Sequence, residues 1–532
     1  MVIVCTCEII GYMERIITKI KLHNYKKFSD FSVELGDKTN IFVGDNDAGK
    51  SSILSAVDLV LNASNSKVTS IGYENLINVA AIDEFLSGER TFENLPEMWI
   101  ELYLNEQNSE ELNGKNNSDG VVCDGLRLTI KPTENLQKEI VEFLKESKDT
   151  FPFDYYHVTY TTFSGDSYYS YKKYLRSTLI DNTKGSDDYA LSEFIKSTYH
   201  LNLEGQEERA KHHAGYRAMK ADFTADKLKD INDRMDGDYA FHLKTTSKSN
   251  LETDLAVIEN GISLENHGKG QQVVMKAELT LKKSKTTPDI VLIEEPENHL
   301  SHINMHKLLG TITSNAGQLL ISTHSNLISS RLNLQHCILL NGNSAEPLKL
   351  TELSDDTSDY FMKAPPHNVL DFVLSKKVIL VEGIAEYILT EKFYEATTGK
   401  TASADNVHII EVGGTAFKRY LEIAKILNIK TVVIRDNDGN INQADNYSNY
   451  TSESIKVYTD QDVLNNTFEV SFYKSNMTFC DNLFSAGRRT LTVQKYMINN
   501  KTDAAFEILK AYDNDSVTVP SYISDALKWI SE

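Results

Sequence analysis

The chain has 532 residues, 41% hydrophobic, with 55 basic against 76 acidic side chains and a formal net charge of −21. That length and apolar content exclude a disordered chain and leave room for roughly three to four domains of about 150 residues. The acidic balance argues against a protein that coats nucleic acid over its whole surface, and leaves only a local basic groove for that purpose.

No run approaches the ~20 apolar residues that cross a bilayer. The apolar opening MVIVCTCEIIGYM lacks the basic start of a leader. The expected location is cytoplasmic, with no membrane partner. Five scattered cysteines outline neither a disulfide framework nor a zinc site.

Thr39 to Val43, TNIFV, is expected to be a strand. It leads into GDNDAGKSS, a G-x-x-x-x-G-K-S pattern, after which Ile53, Val57, Val60 and Leu61 share one helical face. Glycines let backbone N–H groups wrap phosphates and the helix N-terminus adds positive potential. Lys50 then reaches the β- and γ-phosphates, and the Ser51 hydroxyl ligates Mg²⁺. Asn46, Gly49, Lys50, Ser51 and Ser52 are the expected ATP contacts.

After a strand at Met98 to Leu104 the texture changes. Tyr155, Tyr156, Tyr160, Tyr168, Tyr169, Tyr171 and Tyr174 stand among Lys172, Lys173 and Arg176. Such interleaving can stack on and neutralise single strands; tyrosines packed on one face of strands is the plainer reading. Glu207 to Asp236 turns helical and charged, as in a dimerisation arm or a short coiled coil.

Gly268-Lys269-Gly270-Gln271-Gln272 is a glycine-rich turn entering a helix, a second anion cradle. A strand at Ile290 to Ile293 ends in Glu294, which suits the Mg²⁺ shell, and Glu295, which suits a general base orienting water on the γ-phosphate. His299, His302 and His306 form a stripe on the next helix, read as a subunit contact rather than a metal site. Leu319 to Ser322 forms a third strand, ending in Thr323-His324-Ser325, with His324 placed to touch a γ-phosphate.

In this order, GDNDAGKSS, NHGKGQQ, VLIEEPENHL and ISTHS resemble the ABC-type ATPases of the SMC-like class. The resemblance implies an ATP-sandwich dimer in which Gly268, Gly270 and Gln271 of one subunit close over the nucleotide of another. The usual first Walker B Asp is Glu294 here.

Met362 to Pro366 reads as a linker. Val378 to Val381 is an expected buried strand that runs into Glu382 and Gly383, with Glu386 one helical turn later. Like charges held close destabilise unless a cation sits between them, which points to a divalent ion. VHIIEVGG, a helix with Phe417, Tyr420 and Leu421 on one face, and TVVIRDNDGN follow. Alternating strands and helices predict a parallel sheet with functional groups at the carboxyl ends of its strands. Asp436 and Asp438 are expected to point the same way along an extended backbone and to form an acidic pocket with Glu382.

This VEG…RDND pattern resembles the Toprim domain. With Glu386, Glu469 in TFEVSF and Lys501 in NKTDAAF behind an ABC-type ATPase, the chain is similar to the OLD (overcoming lysogenization defect) endonucleases. The resemblance, which covers nearly the whole chain apart from the tyrosine-rich insert, implies an α/β fold: an ABC-type P-loop ATPase over 13–362, interrupted at 108–258 by an insertion with the tyrosine-rich segment and a helical, dimerisation region, a linker over 363–375, and a Toprim domain with a Rossmann-like parallel sheet over 376–532. Its implied cofactors are ATP and Mg²⁺, with Mn²⁺ an alternative in the nuclease site. Glu382, Glu386, Asp436, Asp438 and Glu469 would hold two ions, and Lys501 would stabilise charge in the transition state.

The expected activity is an ATP-regulated, metal-dependent DNA endonuclease of bacterial anti-phage defence, with Glu295, His324 and Lys501 as catalytic side chains. Expected partners are DNA, a second copy of the chain or more, and an accessory defence protein or nucleic-acid regulator. The alternative is an ATP-gated DNA-binding clamp or signalling scaffold whose Toprim pocket does no chemistry.

Overall fold

The structure, a computed structural model, describes residues 15–146, 150–181, 188–235, 238–244, 251–281, 288–298, 300–315, 317–325, 328–329, 332–340, 347–363, 369–414, 416–485, 491–512 and 517–532. The chain divides into two compact units, one of residues 1–42, 46–323 and 342–347, the other of residues 43–45, 324–341 and 348–532. Among the described residues no helix is long and apolar enough to cross a membrane.

The first unit opens with β1 (Ile17–Tyr25), β2 (Phe28–Glu34), β3 (Thr39–Val43) and α1 (Lys50–Asn62). It continues with β4 (Met98–Leu104), β5 (Cys123–Pro132), β6 (Tyr156–Thr162) and β7 (Ser177–Asp181). An antiparallel sheet runs β2-β1-β4-β5-β6. Ile20 and Leu22 of β1 are buried while Lys19, Lys21 and His23 alternate with them, the period-two pattern of a sheet with one face on the core. Glu101 of β4 is fully buried, and this is tolerated because Arg127 Nη1 (3.0 Å), the Ser118 backbone N–H (2.8 Å) and the Ser118 hydroxyl (2.7 Å) all donate to it.

Two long helices follow, α2 (Asp188–Leu201) and α3 (Gln206–Lys227), then α4 (Lys269–Leu281), β8 (Ile290–Glu294), α5 (His302–Asn315) and β9 (Gln318–Ser322). β3, β9, β8 and β7 are successive parallel neighbours, with Ile41 opposite Ile321 and Leu292 opposite both Leu320 and Leu179. β8 and β9 are buried throughout, as continuous apolar runs covered on both faces should be. α1 packs on them through Ile53, Val57, Val60 and Leu61.

The tyrosine-rich stretch divides. Tyr156, Tyr160 and Tyr168 are buried, the plainer reading, whereas Tyr169 and Tyr171 are exposed and stacked at 5.7 Å. α3 covers most of the helical segment expected from Glu207 to Asp236, and buries none of its residues.

The second unit contains a short antiparallel ladder of β10 (Cys337–Leu339) with β11 (Leu348–Lys349). Of the expected linker, Met362 and Lys363 end a helix (Asp355–Lys363), 364–368 lie outside the described residues, and Val369–Leu374 is not an open connection but a helix that buries Val369, Leu370, Phe372 and Val373. There follow β12 (Lys377–Val381), α6 (Ile384–Thr398), β13 (Val407–Glu411), α7 (Phe417–Leu427), β14 (Lys430–Ile434) and β15 (Ile455–Tyr458). The sheet runs β13-β12-β14-β15 and is parallel throughout, with Ile379 opposite both Ile409 and Val432. Phe417, Tyr420 and Leu421 of α7 are buried on one face, as their spacing predicts.

The chain ends with α8 (Phe468–Ser475), α9 (Lys501–Lys510) and α10 (Ser521–Ser531), the last two packed on α6. Phe393 of α6 meets Phe468 and Phe472 of α8 at 6.2 and 5.9 Å. Each such buried ring contributes roughly 1.5–3 kcal/mol. That contact fixes the roll of α8.

Candidate functional site

The phosphate-loop candidates follow β3. Gly49 caps α1 with φ of 99°, and an added Cβ would stand 2.4 Å from Cζ of Phe28. Glycine is required twice there, by the left-handed backbone and by the close ring. Lys27 Nζ donates to the Asp47 carbonyl and braces the loop. Lys50 is buried, Ser52 half-buried, and Asn46 and Ser51 exposed at the start of a helix whose first N–H groups have no partner within it.

Glu294 closes β8 and is buried. Glu295 leaves the strand with φ of 43°; its N–H donates to the Ser322 carbonyl (2.9 Å) and its carboxylate accepts from Asn298 Nδ2 (2.7 Å). The two acids thus have different surroundings, one embedded with the strand and one on a turn. His324, two residues past β9, is exposed. His299 lies outside the described residues, as do the side chains of His302 and His306.

Gly268 immediately precedes α4, and the N–H groups of Gln271 and Gln272 donate to its carbonyl (2.9 and 3.1 Å). Gly270 lies in the first turn of α4. Gln272 is the glutamine that braces this turn, with Nε2 donating to the carbonyls of His267 (2.9 Å) and Glu265 (3.3 Å). Gln271 is left half-exposed.

The acids of the second unit gather at the carboxyl ends of its strands. Val381 of β12 lies opposite Ile434 of β14, so Glu382 and the Arg435-Asp436 pair leave neighbouring strands side by side. Glu386 stands in the first turn of α6 and Glu469 in the first turn of α8, where Phe468 and Phe472 turn it inward to 2% exposure. Lys501 opens α9 with Nζ 3.1 Å from Glu469 Oε2.

These groups feel one another. Burial, then repulsion from Glu469 and Glu382, pushes Glu386 up to about 7. Burial, then Glu386, Glu382 and Glu469, pushes Asp436 up to about 8. Glu382 is raised by burial and by Asp438, with Arg435 opposing. Burial works against the Lys501 ammonium, but Glu469, Asp436 and Glu386 together hold its proton above the usual lysine range.

Asp438 departs from the expectation. It does not continue an extended strand beside Asp436: its φ is 50° and its side chain is 55% exposed, whereas Asp436 is buried. The cause is the fully buried Asn437 between them. Its Nδ2 donates to the carbonyls of Asp460 (2.8 Å) and Asp462 (3.0 Å), and its Oδ1 accepts the Gly439 N–H (2.9 Å), which forces a turn. Arg435, unassigned from sequence, binds Asp438 Oδ2 at 2.8 Å and approaches Glu382 Oε2 at 3.6 Å.

Among the described residues no three carboxylate, imidazole or thiolate groups stand together at metal-ligand spacing. Carboxylates without a cation between them repel, and here Lys501 and Arg435 draw Glu469 and Asp438 to themselves. The chemistry of the donor set nonetheless fits a hard divalent cation. All candidate donors are oxygens, and both oxygens of Glu469 and Oε2 of Glu382 are buried without a hydrogen bond, the Lys501 contact being an ion pair without hydrogen-bond geometry.

Comparison with known proteins gives two family matches. Residues 16–204 match the AAA ATPase domain, and residues 373–438 match the overcoming lysogenization defect protein-like TOPRIM domain. No curated protein sequence matches the chain. Similar solved structures include the C-terminal region of the Burkholderia pseudomallei OLD protein (16% identity, 30% of this chain and 97% of that one, TM-score 0.24). The C-terminal region of the Xanthomonas campestris pv. campestris OLD protein (17%, 30% and 94%, 0.24) and the SMC head domain from Thermotoga maritima (13%, 62% and 97%, 0.29) are also similar.

Proposed function

From a chain that joins an AAA ATPase domain to an OLD-like TOPRIM domain, we propose an ATP-controlled, divalent-metal-dependent DNA endonuclease acting in defence against phage. The observation that carries it is the gathering of Glu382, Glu386, Asp436 and Glu469 at the carboxyl ends of one parallel sheet, with Lys501 Nζ 3.1 Å from Glu469 Oε2. Two Mg²⁺ or Mn²⁺ ions held by Glu382, Glu386, Asp436, Asp438 and Glu469 would supply an activated water and stabilise the leaving oxygen of a phosphodiester. Lys501 adds a fixed positive charge beside those acids, suited to charge building on the phosphorus centre.

In the ATPase, Asn46, Gly49, Lys50, Ser51 and Ser52 bind the phosphates, Glu294 joins Ser51 on Mg²⁺, Glu295 orients water, and His324 senses the γ-phosphate. Gly268, Gly270 and Gln271 close over the nucleotide of a second copy, making at least a homodimer. An accessory defence protein or nucleic-acid regulator completes the proposed set of partners.

The second reading, an ATP-gated clamp or scaffold with a non-catalytic pocket, draws on the acids' spacing, which among the described residues is not that of bound ligands. Incubating purified protein with plasmid and linear DNA in Mg²⁺ or Mn²⁺, with and without ATP, decides between them. Cleavage by wild type that Asp436→Ala abolishes while ATP turnover persists supports the nuclease. Intact DNA under every condition, with binding alone altered by the variant, supports the clamp.

A further inference from the structure

Arg435 is a charged residue only 9% exposed, in the loop that carries the candidate ligands Asp436 and Asp438. Its guanidinium is fixed by four contacts that involve no acid side chain. Nη1 donates to the Tyr447 hydroxyl (2.5 Å), Nε donates to the Asp436 carbonyl (3.1 Å), and the rings of Phe417 and Tyr447 flank it at 5.8 and 5.7 Å. Only Nη2 turns to carboxylates, meeting Asp438 Oδ2 at 2.8 Å and lying 3.6 Å from Glu382 Oε2.

The arrangement at Asp438 is one-sided. Gln443 Nε2 also donates to Oδ2, at 2.9 Å, so both donors meet the same oxygen and Oδ1 keeps its lone pairs. An exposed aspartate on a turn would otherwise sample its rotamers freely and lose that entropy on binding an ion. Donors on one oxygen of a carboxylate are how proteins orient the other toward a metal.

Resting on the nuclease reading above, we infer that Arg435 is a positioning residue: with Gln443 it pins Asp438 by Oδ2 and so recruits this outward-turned aspartate to the metal set. Tyr447, Phe417 and the Asp436 carbonyl hold the guanidinium in place beforehand. Arg435 acts through Asp438, and therefore its loss should cost nothing further once Asp438 is gone.

The test uses the full-length, nucleotide-free protein and Mn²⁺ alone, with free ion counted by electron paramagnetic resonance. Arg435→Gln is expected to weaken Mn²⁺ binding roughly 10- to 100-fold. Arg435→Lys should not restore it, because a point charge lacks the fork that spans Tyr447 and Asp438. Arg435→Gln combined with Asp438→Asn should bind no more weakly than Asp438→Asn alone.

Equal or tighter binding by Arg435→Gln, or full additivity in the pair, overturns the inference. Should the Arg435 variants fail to fold, Gln443→Ala with and without Asp438→Asn puts the same question through the other donor, and a loss of affinity only when Asp438 is present is the expected answer. If wild type and Asp436→Ala bind Mn²⁺ alike, the nuclease reading itself fails. If Asp436→Ala loses the ion and Arg435→Gln does not, only the role of Arg435 fails.

Discussion

Metal uptake by the acid pocket is expected to be a proton exchange, with a pH dependence set by two side chains. Glu386, pushed up to about 7, and Asp436, pushed up to about 8, both carry protons at pH 6. A protonated carboxyl must release its proton before it can serve as an anionic ligand. The metal-free protein therefore binds more protons than the loaded one below pH 8, and apparent affinity rises with pH. It should climb up to about a hundredfold per pH unit below 7, about tenfold per unit between 7 and 8, and level off above.

In the metal-free protein the sign for stability is opposite. Both carboxyls hold protons more tightly folded than unfolded, so their contribution is fully present below the ordinary carboxyl range near 4 and is lost as pH rises through 7 and 8. For Glu386 that loss is roughly 3 kcal/mol. Calorimetric titration with Mn²⁺ in buffers of different ionisation enthalpy, between pH 6 and 9, counts the protons. About two should leave at pH 6, and about one from Glu386→Gln. Binding that is independent of pH and exchanges no protons would refute the placing of Glu386 and Asp436 in one buried pocket.

Glu295→Gln should keep ATP binding and slow hydrolysis at least tenfold, measured by nucleotide affinity beside phosphate release; normal turnover would remove Glu295 as the base. Gly49→Ala combines strain at φ of 99° with a contact on Phe28, and should lower ATP affinity by an order of magnitude or more while α1 persists by circular dichroism. Asn437→Ala strips the donor from two carbonyls and the acceptor from Gly439, at a cost of about 2–3 kcal/mol to the second unit. DNA cleavage should fall with it and ATP turnover should not, which separate assays of one preparation will show.

The strand–turn–helix around Gly49 and Lys50 was legible because its parts are contiguous: strand, glycine turn, lysine and helix follow one another within a few residues, and the apolar spacing after Ser51 matches the buried face of α1. The parallel sheet at β12, β13 and β14 was equally plain from its apolar runs. Asp438 misled because alternation was assumed to continue past Ile434. The Asp438-Gly439 pair is a turn signal, and the turn prevailed. Glu469 and Lys501 carry no local sign of their role. Only the Phe468 and Phe472 stripe, which shows that α8 presents that face to a core, points to where Glu469 must go. Arg435 was in view within RDND, but its significance depends on Tyr447 and Gln443, which reach it only once the chain folds.

The acid pocket is costly to the fold, and that cost argues for its use. Glu469, Glu386 and Asp436 are all nearly buried, and the half-exposed Lys501 is set among them. Apolar residues of similar volume at such positions commonly match or exceed the stability of buried charges. Packing alone would therefore favour leucine or methionine beside Phe393, Phe468 and Phe472. Carboxylates that repel one another, of which Glu469 is buried without a hydrogen bond, at the strand ends where open parallel sheets carry their ligands, are better understood as groups awaiting positive charge than as parts of a core. By the same reasoning Lys501 and Arg435 differ in kind: among the described residues the Lys501 ammonium meets only carboxylates and can yield Glu469 to an ion, while Arg435, besides meeting Asp438, is held by the Tyr447 hydroxyl, a carbonyl and two rings and stays where it is.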